Sequence, residues 1–67
     1  MFNIVDVIKL KRDIPEEKLK AGDLGTIVEI LQEEPVAVYE VEFCNDKGEA
    51  ITTLSIEEKD MQLFYTA

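Results

Sequence analysis

The chain of 67 residues has no histidine, no tryptophan and a single cysteine, Cys44. Without histidine it lacks the side chain that most often acts as a general base or metal ligand near neutral pH. A lone cysteine cannot form a disulfide within the chain, and a thiol becomes a nucleophile only when a neighbouring base or cation activates it. We therefore expect no enzyme activity and no catalytic, cofactor-binding or metal-binding residue. Cys44 is interpreted as an inert, half-buried residue at a strand end.

Long apolar runs are also missing. No stretch approaches the roughly 18 residues that a membrane-spanning helix requires. The first residues, Met-Phe-Asn-Ile-Val, lack the basic and apolar regions of a signal peptide. With only one cysteine, this pattern favours a cytoplasmic location. A chain of this length has room for one domain with one core, so residues 1–67 are expected to form a single domain.

Cations are scarce, with seven Lys and Arg residues against fifteen Asp and Glu residues and a net charge of −8. Residues 1–22 sum to +1, whereas residues 23–67 sum to −9. Affinity for nucleic acid depends on cations that neutralise phosphates, so this acidity disfavours such a partner. It favours a role in solubility or a docking face for a basic protein. A nucleic-acid-associated function is the alternative and would use the basic cluster, which consists of Lys9, Lys11, Arg12, Lys18 and Lys20.

Short alternating segments separated by turn residues predict strands at residues 4–11, 25–31, 36–43, 49–54 and 62–65. In the third segment Tyr39 and Phe43 should face the core, while Glu40 and Glu42 should face the other way. The sequence thus predicts an all-β fold. We expect a small five-stranded SH3-like barrel with one short 3-10 turn before the last strand.

The turns have recognisable chemistry. Gly22 should adopt a positive φ, and Gly25 should mark a bulge or a close approach of another backbone. Residues 45–48, Asn-Asp-Lys-Gly, predict a tight turn with Gly48 in the left-handed region, rather than a calcium loop.

Two further local features concern the connections. Ile14 and Leu19 are expected to fix the polar loop of residues 12–22 over one end of the core, after Pro15 ends the first ladder. Ser55 and Glu58 have the spacing of a capping box, which predicts a helical turn starting at Ser55.

The chain also resembles a small bacterial family known as domain of unknown function 4926. The resemblance covers about residues 5–63 and rests on Asp13, Ile14, Pro15, Leu19, Gly22, Asp23, Gly25, Thr26, Tyr39, Glu40, Val41 and Phe43. It implies a stand-alone SH3-like barrel whose glycine-strand part is similar to KOW-type barrels. It also implies that the protein is encoded beside other small genes of toxin–antitoxin or immunity type, but it assigns no activity.

The functional prediction is a small acidic protein-interaction module, either antitoxin-like or immunity-like or an accessory subunit. The expected partner is another protein with a basic surface, with no membrane involved, and the chain itself is expected to be a monomer or weak homo-oligomer. Because adjacent strand residues face opposite sides, at least one of Phe64 and Tyr65 should be partly exposed in a contact surface. The candidate partner-binding residues are Phe64, Tyr65, Glu40, Glu42, Glu57 and Glu58.

Overall fold

A computed structural model describes residues 1–66 of the chain. Its strands are β1 (Val7–Leu10), β2 (Leu24–Gln32), β3 (Val38–Cys44), β4 (Ala50–Glu57) and β5 (Met61–Tyr65), with 3-10 turns at Pro15–Glu17 and Glu58–Asp60. All neighbouring strands are antiparallel, in the order β4-β3-β2-β1-β5. The predicted all-β class, the five strands and the 3-10 turn before the last strand are confirmed. Within the described residues, no helix is long and apolar enough to cross a bilayer.

The five-stranded sheet is open. In residues 1–66 the ladders join β4 only to β3 and β5 only to β1, so these two strands form free edges. The barrel of the sequence analysis would need a ladder or close packing between those edges. The all-β class is therefore established, and closure into a barrel stays a prediction.

One face of the sheet carries the core. In β3 the buried residues Tyr39, Val41 and Phe43 alternate with the half-buried Glu40 and Glu42, as predicted. Within residues 1–66 the buried apolar residues of the core are Ile8, Leu10, Ile14, Leu19, Ile27, Tyr39, Val41, Phe43, Ile56 and Met61. Every strand contributes to it. The opposite face of the sheet is called the outer face below.

The first strand is shorter than predicted. β1 begins at Val7 because residues 4 and 5 form a turn, in which Val5 adopts a φ of +77°. A positive φ is unfavourable for a β-branched residue. Asp6 stabilises this turn, since its carboxylate accepts a hydrogen bond of 2.9 Å from the backbone N–H of Asn3. The predicted start of the strand at residue 4 is therefore wrong, because the turn interrupts the extended chain.

The predicted capping box is wrong. Ser55 lies inside β4 and pairs with Glu40 of β3. The 3-10 turn begins later, at Glu58. Glu57 is its N-cap residue, and no side chain forms a capping hydrogen bond there. Pairing with β3 extends β4 to Glu57, so a ladder of backbone hydrogen bonds overrides a local helix signal.

The loop of residues 12–22 is fixed as predicted. Ile14 and Leu19 are 7% and 6% exposed, and they form an isolated antiparallel bridge. Pro15 opens a 3-10 turn between them, which the sequence analysis did not anticipate. At the end of the loop Gly22 adopts a φ of +97°, and Gly48 in the β3–β4 turn adopts a φ of +80°, both as expected.

Gly25 of β2 is covered by two core side chains of β3. It pairs with Phe43 across the ladder. A Cβ atom at this position would lie 2.6 Å from Cγ1 of Val41 and 2.8 Å from Cε1 of Phe43. The absent Cβ leaves room for two core side chains rather than for another backbone, and these side chains cover β2 directly.

The hydroxyl of Tyr39 links three parts of the chain. It accepts a hydrogen bond of 3.0 Å from the backbone N–H of Phe2 and donates one of 2.8 Å to Oε2 of Glu58. The Phe2 ring packs at 5.7 Å from the Tyr39 ring. Burial raises the pKa of Tyr39 above 10.0, and the hydrogen bond to Glu58 acts in the same direction.

We predict that Gly25→Ala destabilises the fold by about 1–3 kcal/mol, because the added methyl group overlaps Val41 and Phe43. Urea denaturation measures the loss. Val41→Ala is the matched partner variant, since it removes one of the overlapping groups. The double variant should lose less stability than the two single losses combined. Additive losses would show that the overlap at Gly25 is not the cause.

We predict that Tyr39→Phe lowers the free energy of unfolding by about 1 kcal/mol at neutral pH, because two hydrogen bonds disappear. The difference in the free energy of unfolding between the wild type and the variant should shrink above about pH 10, because the unfolded chain releases the Tyr39 proton before the folded chain does. Urea denaturation of both proteins along this pH range checks the prediction. A stability difference that stays constant would contradict it. Tyr65→Phe is the control, because Tyr65 is exposed.

Candidate interaction surface

A single row of side chains crosses all five strands on the outer face. Tyr65 of β5 pairs with Val7, Val7 with Thr26, Thr26 with Glu42, and Glu42 with Thr53 of β4. Tyr65 and Glu42 are three strand spacings apart, or roughly 14 Å along the row. The structure therefore brings together two residues that the sequence analysis nominated separately.

A β-bulge explains why both aromatic residues of β5 are exposed. Ile8 pairs with Leu63 and Val7 pairs with Tyr65, which leaves Phe64 as the extra residue. Phe64 and Tyr65 are 57% and 64% exposed. The prediction that at least one ring is exposed is confirmed. The exposure of both rings follows from the bulge, because a bulge interrupts strict alternation and re-aims side chains.

Three glutamates form what we call the acidic stripe: Glu29, Glu40 and Glu42. Glu29 and Glu40 are directly opposite each other across β2 and β3, and Glu42 lies two residues farther along β3 on the same face. None of the ion pairs found within residues 1–66 involves the stripe. Like charges in direct cross-strand register destabilise a sheet. Sequence analysis missed Glu29 because its register depends on a second irregularity, between Ile27 and Glu29.

The other two acidic candidates lie farther from the aromatic residues. Glu57 pairs with Val38 in the ladder, and its Oε1 atom is 3.9 Å from Nζ of Lys59. Glu58 accepts the Tyr39 hydrogen bond, so its carboxylate contributes to the fold. Of the six nominated residues, the structure groups Tyr65, Phe64, Glu42 and Glu40 on one part of the surface.

The basic cluster is divided between two places. Lys9 lies on the outer face of β1 between Leu24 and Gln62. Lys11 directly follows β1, and the other three cations lie in the loop of residues 12–22, where they are matched by three acids. Arg12 also forms an ion pair, with 3.4 Å between its Nε and Oδ2 of Asp60. The members named in the sequence analysis were Lys9, Lys11, Arg12, Lys18 and Lys20.

A groove of about 640 Å³ lies at the end of the sheet where β2 begins and the β3–β4 turn folds back. We call it the β2–β4 groove. Its apolar walls include Val7, Leu24 and Ile51, and its charged lining residues are Lys18, Asp23, Glu42 and Asp46. Glu42 belongs to both the groove and the cross-strand row, so the two features are continuous.

Cys44 also lines this groove and is exposed, so its predicted half-buried state is wrong. It shares the outward direction of Glu40 and Glu42, because β3 keeps strict alternation to its end. Beyond it the turn is held by its own polar groups, since Oδ1 of Asn45 accepts hydrogen bonds from the N–H groups of Lys47 and Glu49. Across residues 1–66, no group of three His, Cys, Asp or Glu side chains is placed to hold a metal ion.

The fold and this surface define a small all-β domain whose exposed sheet face combines aromatic and acidic side chains. A sequence model of the family described as Domain of unknown function (DUF4926) matches residues 4–63. The chain belongs to this family, as its sequence features indicated. No curated protein matches the chain, and no solved structure matches it.

We predict that Glu40→Gln stabilises the fold by about 0.5 kcal/mol, because it removes the repulsion between Glu29 and Glu40. Urea denaturation at low ionic strength measures the gain, which should decrease when salt is added. Glu34→Gln is the matched control, since it makes the same charge change in the exposed β2–β3 connection. Equal gains in the two variants would indicate a general charge effect instead.

Proposed function

We propose that the protein is an acidic interaction module that binds a basic protein through the outer face of its sheet. The observation that carries this proposal is the cross-strand row that joins Tyr65 to Glu42, with Phe64 exposed beside Tyr65. Aromatic side chains supply much of the binding energy in protein interfaces. Carboxylates beside them would steer and orient a cationic partner.

The acidic stripe supports a cationic partner. Glu29 and Glu40 repel each other in the free protein, and no cation within residues 1–66 forms an ion pair with them. A lysine or arginine of a partner would relieve that repulsion on binding. The gain would appear in the complex and not in the isolated domain, so the stripe favours association over stability.

The biological role that we propose is that of an antitoxin-like or immunity-like protein, or of an accessory subunit, in the bacterial cytoplasm. In either role the domain would cover a basic surface of another protein. A single exposed thiol at Cys44 suits a reducing compartment, where it stays unpaired. An SH3-like arrangement of the five strands, without a ladder between β4 and β5 in the described residues, remains part of this proposal, since the resemblance implies an SH3-like fold.

The charge distribution favours a protein partner over nucleic acid. Arg12 is engaged by Asp60, and the acids of the loop 12–22 offset its cations. A phosphate backbone requires several uncompensated cations on one surface. The experiment below therefore also tests binding to nucleic acid.

The experiment begins with affinity capture from the native organism, identification of the bound protein and its separate purification. Binding of that protein is then measured by calorimetry. Phe64→Ala with Tyr65→Ala should weaken binding at least tenfold, because exposed aromatic anchors are lost. Val36→Ala is the matched control, since Val36 is an exposed apolar residue in the β2–β3 connection. It should leave the affinity within about twofold.

Two results would overturn the proposal. One is wild-type affinity in the Phe64 and Tyr65 double variant. The other is binding of mixed RNA or DNA that is lost when the five residues of the basic cluster are changed to alanine, with no protein partner captured.

A further inference from the structure

We propose that the β2–β4 groove binds an extended cationic segment of the partner. A lysine or arginine side chain would lie against Glu42 and Asp46, and an aliphatic side chain of the same segment would pack against Leu24 and Ile51. This inference rests on the proposed function and names the chemistry that one part of the surface recognises.

The groove has the size of a binding site. Its volume of about 640 Å³ lies within the range typical of ligand pockets. The loop that ends at Gly22 and Asp23 forms one wall, and the β3–β4 turn forms the other. An extended segment could therefore lie between these two connections.

The charges that line the groove favour a cationic side chain. Three carboxylates line it, from Asp23, Glu42 and Asp46, against one ammonium group, from Lys18. Asp23 already accepts a hydrogen bond of 2.9 Å from the backbone N–H of Lys20. Within residues 1–66 no side-chain hydrogen bond or ion pair involves Glu42 or Asp46, so both carboxylates can accept bonds from a bound ammonium or guanidinium group.

The apolar walls select a neighbouring aliphatic side chain. Leu24 is 42% exposed and Ile51 is 59% exposed. Ile51 is the extra residue of a bulge, because Phe43 pairs with Thr52 and Cys44 pairs with Ala50. Bulges re-aim side chains at such positions. Burying these two residues would add apolar contact to the charge pairing.

The probe is a capped heptapeptide, acetyl-Ser-Lys-Ser-Leu-Ser-Lys-Ser-amide. Alternate side chains of an extended peptide face the same way, so its lysines and leucine form one edge. The control peptide has glutamate in place of both lysines. Because Cys44 is the only cysteine and lines the groove, its alkylation rate by iodoacetamide reports occupancy. The lysine peptide at saturation should slow alkylation at least fivefold, and the glutamate peptide should not.

Amide chemical shifts of the labelled protein give the location. The lysine peptide should shift the signals of Leu24, Glu42 and Ile51. Glu42→Gln with Asp46→Asn should weaken its binding about tenfold, because charge-assisted hydrogen bonds are lost. Glu33→Gln with Glu34→Gln makes the same charge change outside the groove and should leave the affinity within about twofold.

Equal protection of Cys44 by both peptides, or protection by neither, would overturn the inference. If the purified partner requires Phe64 and Tyr65 but ignores Asp46→Asn, which changes the groove and not the cross-strand row, the proposed function stands and the groove inference fails. If the peptide binds as described but no protein partner depends on Phe64 and Tyr65, the groove inference stands and the proposed function fails.

Discussion

The packing of Val41 and Phe43 over Gly25 is the constraint on which the sheet depends. With no side chain at this position, Val41 and Phe43 pack directly over the β2 backbone. That packing buries the inner side chains of β3 and commits Glu40 and Glu42 to the outer face. The surface with the acidic stripe is therefore a consequence of how the core is closed. One glycine couples the packing of the domain to the direction in which its charges point.

Local sequence patterns predicted the features of the fold that depend on local interactions. The alternation in β3 was sufficient to assign Tyr39 and Phe43 to the core, and Gly22 and Gly48 were assigned from turn chemistry alone. The capping box at Ser55 failed because strand pairing with β3 is a non-local interaction that outweighs a short helix signal. The start of β1 was displaced for a different reason, because the turn at Val5 is stabilised by the hydrogen bond from Asn3 to Asp6.

The candidate surface could be predicted only in part from the sequence, because the register of strand pairing decides which residues lie next to each other. Nothing in residues 61–65 marks a bulge, so the joint exposure of Phe64 and Tyr65 could not be derived from alternation. The facing pair Glu29 and Glu40 likewise depends on an irregularity in β2. Predicting such pairs requires knowing where each ladder shifts by one residue, and a shift of that size exchanges the two faces of a strand.

The fifteen acids of the chain have different physical roles, although the sequence presents them alike. Asp6 and Glu58 accept hydrogen bonds that hold chain segments together, from Asn3, Thr66 and Tyr39. The acidic stripe has no such partners in residues 1–66, and two of its members repel each other. A domain with a small core has little stability to spare. The stripe is best understood as a feature that opposes folding slightly and becomes favourable when a cationic surface covers it.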